Sequence, residues 1–333
     1  MIKVDNSPEK RFFYLKGYED KQEFIQLKKE IIDSIESKSY AQLKTLRDKD
    51  YADQFSVFIF YEAIQEKLNS ISSVAIKQQL QNIDWFEALV GSIKEIRVII
   101  QKNSHLLANP TLPHFKQYKD TFEDLYISQL SQSQHDLKKE FFVLFNDINV
   151  CPYCNRNFIN PIYKFDNLGG DNKKQSPDIE HFFPKSLYPF LSLSISNLLP
   201  SCSFCNKIKS NVDTYQNKCR SPYEIENEDF VFDFELEDSY LKKVILKNSD
   251  NFKNSDILHL EALYNEVHSE YINDIFGSII KYPDVYKERL QKLDVSEEDY
   301  KKFFRNYFYE QDFNKHPLSK MTKDLYTYLK HLT

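Results

Sequence analysis

Two pairs of cysteines are the residues whose spacing most clearly indicates chemistry. Cys151 and Cys154 form one C-x-x-C pair, and Cys202 and Cys205 form the other. Each pair can direct two thiolates at one ion, and two pairs make a tetrahedral Zn²⁺ site with Zn–S distances of about 2.3 Å. Because four thiolates leave no position open for a substrate, we predict a structural zinc ion.

The order of the motifs around these cysteines resembles that of the HNH endonucleases with a ββα-metal finger. The first C-x-x-C is followed by Glu180-His181, Pro184-Lys185-Ser186 and Asn197-Leu198, and the second runs into Asn206 and Lys209. Within that family the chain is most similar to the HNH nucleases of Septu-type bacterial anti-phage systems, which work beside an ATPase. The resemblance is confined to residues 151–211 and implies metal-dependent hydrolysis of DNA.

The resemblance also implies a role for each residue of the finger. His181 would be the general base, Glu180 and Asn206 would hold a catalytic Mg²⁺ or Mn²⁺, and Asn197 would hold the histidine ring or the loop after it. The family more often has Asp before the histidine, and the longer Glu side chain moves the carboxylate outward by about 1.5 Å. Asp178 lies on the same strand face as Glu180 by the two-residue period, so it could share or replace that ligand.

The basic residues are concentrated in the same region. The whole chain has a net charge of −6, whereas residues 151–220 contain nine Lys or Arg and five Asp or Glu. We interpret Lys185, Lys207 and Lys209 as contacts to phosphate that position the backbone without reading its sequence. Simple solvation of these lysines is the alternative.

Two other functions fit the same residues. The finger could cut RNA, for example tRNA, or it could be a non-catalytic zinc adaptor that binds nucleic acid and a partner. In the adaptor, His181 would be a structural histidine, Asn197 would cap a turn and Asn206 would be a helix surface residue.

The elements that position these residues are predicted to be mainly helical. Five glycines against 22 tyrosines and 27 phenylalanines favour long helices over a glycine-rich barrel. We predict an α+β protein, mainly α with a small inserted ββα-metal zinc finger. It has three regions: N-terminal helices over residues 1–148, the finger over 149–222, and a short β-hairpin with helices packed around the finger over 223–333.

Hydrophobic periodicity locates the individual elements. After an arm with little independent structure (1–19), the predicted helices are 20–37, 51–68, 84–102, 115–126, 137–145, 201–209, 256–279, 297–309 and 318–332. A β-hairpin is predicted over 157–165, before a turn over 166–174, and strands are predicted over 177–183, within 191–199, over 230–234 and over 243–247. No signal peptide and no apolar run of about 20 residues is visible, which predicts a cytoplasmic protein without a membrane span.

Overall fold

The computed structural model describes residues 1–131, 137–160, 162–165, 171–175, 177–237, 240–248, 252–281, 284–305 and 308–331. In these residues most regular structure is helical, and the strands form three two-stranded antiparallel sheets. This agrees with the predicted mainly helical α+β class. None of the described helices is both long and apolar enough to cross a membrane.

Eight α-helices precede the first cysteine pair in the described residues. They are α1 (Gln22–Glu36), α2 (Tyr40–Thr45), α3 (Ser56–Leu68), α4 (Val74–Gln81), α5 (Trp85–Val90), α6 (Ile93–Leu107), α7 (Phe115–Tyr126) and α8 (Leu137–Leu144). The single helix predicted over 84–102 is wrong, because the backbone is extended at Gly91 and Ser92 starts α6 with a capping box to Glu95. A π-helical turn, Ile127–Ser131, continues α7.

The central region contains two of the sheets and one helix. Strand β1 (Ile162–Phe165) pairs with β2 (Asp171–Gln175), and β3 (Asp178–His181) pairs with β4 (Leu198–Ser201), which leads into α9 (Ser203–Lys209). The predicted order of two strands and a helix is therefore present. The second finger strand, predicted to lie within 191–199, begins only at Leu198 and runs to Ser201, because short 3₁₀ turns occupy 189–191 and 195–197. Of the predicted turn over 166–174, residues 166–170 lie outside the described residues and the rest belong to β2.

The remaining elements follow the finger. They are β5 (Phe230–Glu237), β6 (Tyr240–Asn248), α10 (Asn254–Ile257), α11 (Leu260–Val267), α12 (Ser269–Lys281), α13 (Asp284–Gln291), α14 (Glu297–Arg305) and α15 (Ser319–Lys330). The single helix predicted over 256–279 is wrong. The backbone at His259 has a φ of 48°, in the left-handed region, which ends α10 and separates it from α11.

The finger is embedded between the flanking regions. The N-terminal arm has no strand or helix before residue 8, yet Ile2 is buried and its N–H donates to the Pro152 carbonyl over 2.9 Å. On the other side, the Tyr264 hydroxyl donates to the Cys154 carbonyl over 2.7 Å, and the Asn155 amide donates to the Phe313 carbonyl over 2.8 Å. The finger thus takes its support from both ends of the chain, and the predicted domain boundaries stay a prediction.

Candidate metal centre and active site

The four predicted zinc ligands come together in one buried cluster. Their Sγ atoms all lie within 4.8 Å of one another, and those of Cys154 and Cys202 are 4.0 Å apart. In a tetrahedral site with Zn–S bonds of 2.3 Å, neighbouring sulfurs are about 3.8 Å apart. Burial raises the pKa of the Cys151 thiol, so a bound cation is what would hold it as a thiolate. The cluster has the composition and size of a structural zinc site.

The turn after the first cysteine pair is held by several hydrogen bonds. The Asn155 backbone adopts the left-handed conformation at φ 49° and its N–H donates to the Cys151 carbonyl over 2.7 Å. The Cys151 N–H in turn donates to the Asn157 carbonyl over 2.9 Å. In the second pair, the Cys202 Sγ accepts the Cys205 N–H at the start of α9. These bonds preorient the sulfurs for a shared ion.

His181 lies at the end of β3, opposite Leu198 in the register. The residue is 8 % exposed, and Nε2 is 3.0 Å from the Ser192 carbonyl oxygen. Because a carbonyl only accepts hydrogen bonds, Nε2 carries the proton and Nδ1 has the free lone pair. Burial lowers the pKa of His181 to about 3. The imidazole is therefore neutral at neutral pH, as a proton acceptor must be.

Asn197 contacts the loop that follows His181. Its Oδ1 accepts the Phe183 N–H over 2.7 Å, while its Nδ2 donates to the Phe183 and Leu191 carbonyls, each over 3.1 Å. The side chain is fully buried. The family resemblance implies that Asn197 holds either the histidine ring or the loop after it. These contacts are made with the loop.

Glu180 is engaged in a buried ion pair. One carboxylate oxygen is 2.7 Å from the Lys209 Nζ, and the other accepts the Tyr153 hydroxyl over 2.6 Å. The Glu180 and Lys209 side chains are each only 2 % exposed. Lys209 therefore lies inside the finger, where it neutralises Glu180, and it presents no ammonium group to an external phosphate.

Asn206 hydrogen-bonds to Asp178 and not to Glu180, the residue with which it was predicted to share a cation. Its Nδ2 lies 2.9 Å from the Asp178 Oδ2, and both residues are half-buried. This pair joins the start of β3 to the middle of α9. If the Asn206 amide turned its Oδ1 toward the carboxylate in place of Nδ2, this pair at the surface of the finger could hold a hard cation through its oxygens.

The other two lysines differ in their surroundings. The Lys185 Nζ is 2.8 Å from Glu123 and 4.8 Å from the centre of the Tyr126 ring, both on α7. Lys207 is exposed on α9. Of the three lysines predicted to contact phosphate, Lys207 alone is exposed.

Three site residues were not found by sequence reasoning. The Tyr126 ring packs edge-on against His181 with ring centres 4.7 Å apart, and burial together with Asp178 and Glu180 raises its pKa. Glu123 and Tyr126 carried no signal beyond helical periodicity. Tyr153 stands between the first two cysteines, so the sequence predicts that it lies near the metal cluster. The sequence does not predict its hydrogen bond to Glu180.

Comparisons with known proteins give one partial similarity. No protein-family model matches the chain, and no solved structure matches it. Over 52 residues, or 16% of this chain, it is 38% identical to the Septu protein PtuB of Bacillus thuringiensis. That segment covers 20% of the PtuB protein. The chain therefore has a local similarity to a Septu protein, and its four-cysteine cluster is compatible with a zinc finger.

Proposed function

We propose that this protein is a metal-dependent endonuclease of the HNH type that hydrolyses DNA phosphodiester bonds. The observation that supports the proposal is the β3–β4–α9 unit. It carries His181 at the end of β3 and the Asp178–Asn206 pair at the start of the same strand, and the four-cysteine cluster joins α9 to the first cysteine turn. A neutral imidazole and a cation site on one rigid unit are the parts that phosphodiester hydrolysis requires.

Asp178 and Asn206 would hold the catalytic Mg²⁺ or Mn²⁺. A carboxylate and an amide oxygen suit these cations, and two protein ligands leave positions for water and phosphate. When bound, the cation neutralises charge on the scissile phosphate and on the leaving oxygen. Glu180 is the alternative ligand, but a cation there would have to displace Lys209 from a contact of 2.7 Å.

His181 would take the proton of the attacking water through Nδ1. The Ser192 carbonyl fixes the opposite nitrogen as a donor, and the Tyr126 ring restricts the imidazole plane. The low pKa of His181 comes mainly from burial, and a phosphate anion beside the ring would raise it by stabilising the imidazolium. Asn197 keeps the following loop in place, and Lys207 can contact the nucleic-acid backbone.

The biological role is inferred from the local similarity to a Septu protein. We infer a cytoplasmic effector of bacterial anti-phage defence that acts with an ATPase partner. The residues outside 151–220 carry a net charge of about −10, since the whole chain has −6 and that region has +4. Such a surface repels nucleic acid away from the finger and suits a protein partner.

The His181→Ala variant is expected to lose cleavage by about 10²- to 10⁴-fold, the usual contribution of a general base. Supercoiled plasmid, single-stranded DNA and tRNA would each be incubated with the protein, Mg²⁺ or Mn²⁺, and the ATPase partner. His105→Ala, an exposed histidine on α6, is the matched control and should cut at the wild-type rate.

Each result of this assay decides between the functions. Cleavage confined to tRNA would support the RNase instead. Silence of the wild-type protein on every substrate would support the zinc adaptor. Equal cleavage by wild type and His181→Ala, with unchanged zinc content, would remove the histidine from the mechanism.

Asp178→Asn is expected to weaken Mn²⁺ binding at least tenfold, because it removes the one formal negative charge of the proposed cation site. Titration of the zinc-loaded protein with Mn²⁺, followed by electron paramagnetic resonance, measures this without any cleavage. Asp213→Asn, a carboxylate that caps a nearby turn, is the control. Unchanged Mn²⁺ affinity in Asp178→Asn would move the site to Glu180.

A further inference from the structure

Two phenylalanine side chains close in sequence to the cysteine pairs face solvent. Phe158 follows the first C-x-x-C pair and is 66 % exposed, and Phe204 stands inside the second pair and is 40 % exposed. Both line one open cavity of about 370 Å³. Most phenylalanines of this protein are buried in the core. Two exposed rings in one cavity therefore indicate a binding site for a ligand or a partner molecule.

The cavity is mixed in chemistry. Besides the two rings, its lining includes the hydrogen-bonding side chains of Asn157, Asn160 and Ser203. Amide and hydroxyl groups can donate and accept, and they suit the edges of a planar polar ligand. Asn160 Nδ2 already donates to Asn149 Oδ1 over 2.6 Å and Asn157 Oδ1 accepts from Arg156 Nε over 3.2 Å, so a ligand would bond to the remaining polar atoms of these side chains.

Positive charge lies at the border of the cavity. The Arg156 guanidinium is 5.0 Å from the centre of the Phe204 ring, and its Nη1 is 3.3 Å from His268 Nε2. Lys207 is exposed on the same helix as Ser203, four residues further on. A cation next to the Phe204 ring and a second one a turn further along α9 favour a ligand that has both anionic groups and flat apolar faces.

The cavity also adjoins the proposed cation site. Pro177, which lines it, is the residue before Asp178, and Phe204 is two residues before Asn206 on α9. The cavity and the Asp178–Asn206 pair are therefore neighbours along the chain. This connects the two surfaces of the finger through the backbone of β3 and α9.

We propose that this cavity binds unpaired nucleotides of a nucleic-acid strand, with Phe158 and Phe204 stacking on bases and with Arg156 and Lys207 contacting phosphates. Inside a duplex the base faces are covered by their neighbours, so a ring at the surface can stack only on an unpaired or displaced base. The proposal rests on the proposed nuclease function and deepens it. The substrate is then a single strand, or a duplex with an unpaired segment beside the cleaved bond.

The test is fluorescence anisotropy with labelled oligonucleotides and no added divalent cation, so that binding is measured without cleavage. The probes are a single strand, the same strand with abasic positions at its centre, and the blunt duplex. Phe158→Leu and Phe204→Leu keep an apolar side chain and remove the ring. Tyr240→Leu is the control, since Tyr240 is 72 % exposed on β6 and does not line the cavity.

We expect the wild type to bind the single strand more tightly than the abasic strand or the duplex. Each Phe→Leu variant should weaken single-strand binding by about fivefold or more, as loss of one stacking contact does, and should change duplex binding little. Tyr240→Leu should bind as the wild type does. If Phe204→Leu loses zinc, Phe158→Leu, outside the C-x-x-C turn, still decides the outcome.

Equal affinities for the normal and abasic strands would overturn the proposal, as would unchanged single-strand affinity in Phe158→Leu. The exposed rings would then belong to a protein interface. A protein that stacks on single strands but cuts none of the substrates would contradict the nuclease and leave the cavity as a nucleotide-binding surface, so the two failures are distinguishable.

Discussion

Cys202→Ser is expected to release zinc and to unfold the region around the finger. Structural zinc contributes about 10–16 kcal/mol to small zinc-finger peptides at neutral pH, which is comparable to the whole stability of an ordinary domain. Serine cannot supply a thiolate, and the change also removes the sulfur that accepts the Cys205 N–H at the start of α9. Because Ile2 on one side and Tyr264 and Phe313 on the other bond to the first cysteine turn, the loss should spread beyond the finger.

The measurements are zinc content per chain and the thermal unfolding midpoint. Cys219→Ser is the matched control. Cys219 is buried but does not belong to the four-cysteine cluster, and burial raises its pKa to about 11. This control should keep its zinc and lose only the modest free energy of burying a hydroxyl, about 1–3 kcal/mol. A Cys202→Ser protein with one zinc per chain and a wild-type midpoint would show that the cluster is not the metal site.

The parts of this site that the sequence predicts are those set by short-range spacing. A C-x-x-C turn determines the direction of its two thiolates almost by itself, and the pairing of β3 with β4 follows from the strand before Pro184 and the strand before Cys202. Local capping could also have been read more closely. Ser92 and Glu95 form a capping box in the sequence S-x-x-E, which marks the break between α5 and α6.

Long-range partners of ionisable groups are not predictable in this way. Nothing in the spacing of Glu180 and Lys209 shows that the last turn of α9 folds back onto β3, or that the carboxylate is satisfied internally. The same holds for Tyr126, which periodicity assigns to the core and which the fold places against His181. Local sequence patterns identify which residues belong to a site. Whether each residue is a cation ligand, a member of an ion pair or a packing contact depends on the tertiary structure.

Glu180→Gln is expected to lower the free energy of unfolding by about 3–5 kcal/mol. The substitution leaves the Lys209 ammonium in a site that is 2 % exposed and without its counter-ion, and an uncompensated buried charge is costly. Lys209→Met should be similarly damaging, because the Glu180 carboxylate then retains only the Tyr153 hydroxyl. Urea unfolding followed by circular dichroism measures both values.

The double variant Glu180→Gln/Lys209→Met tests whether an unpaired buried charge causes the loss of stability in the single variants. With both charges removed no ion is stranded, so its loss of stability should be well below the sum of the two single losses. The exposed ion pair of Lys3 and Glu226 is the comparison for the buried pair. Its charged atoms are 2.6 Å apart, but the side chains are 47% and 62% exposed. Removing either charge should change the free energy of unfolding by less than about 1 kcal/mol. Simple additivity of Glu180→Gln and Lys209→Met would mean that the two groups act separately. Glu180 would then be available as the ligand of the catalytic cation. The proposal that Asp178 is that ligand would no longer be favoured.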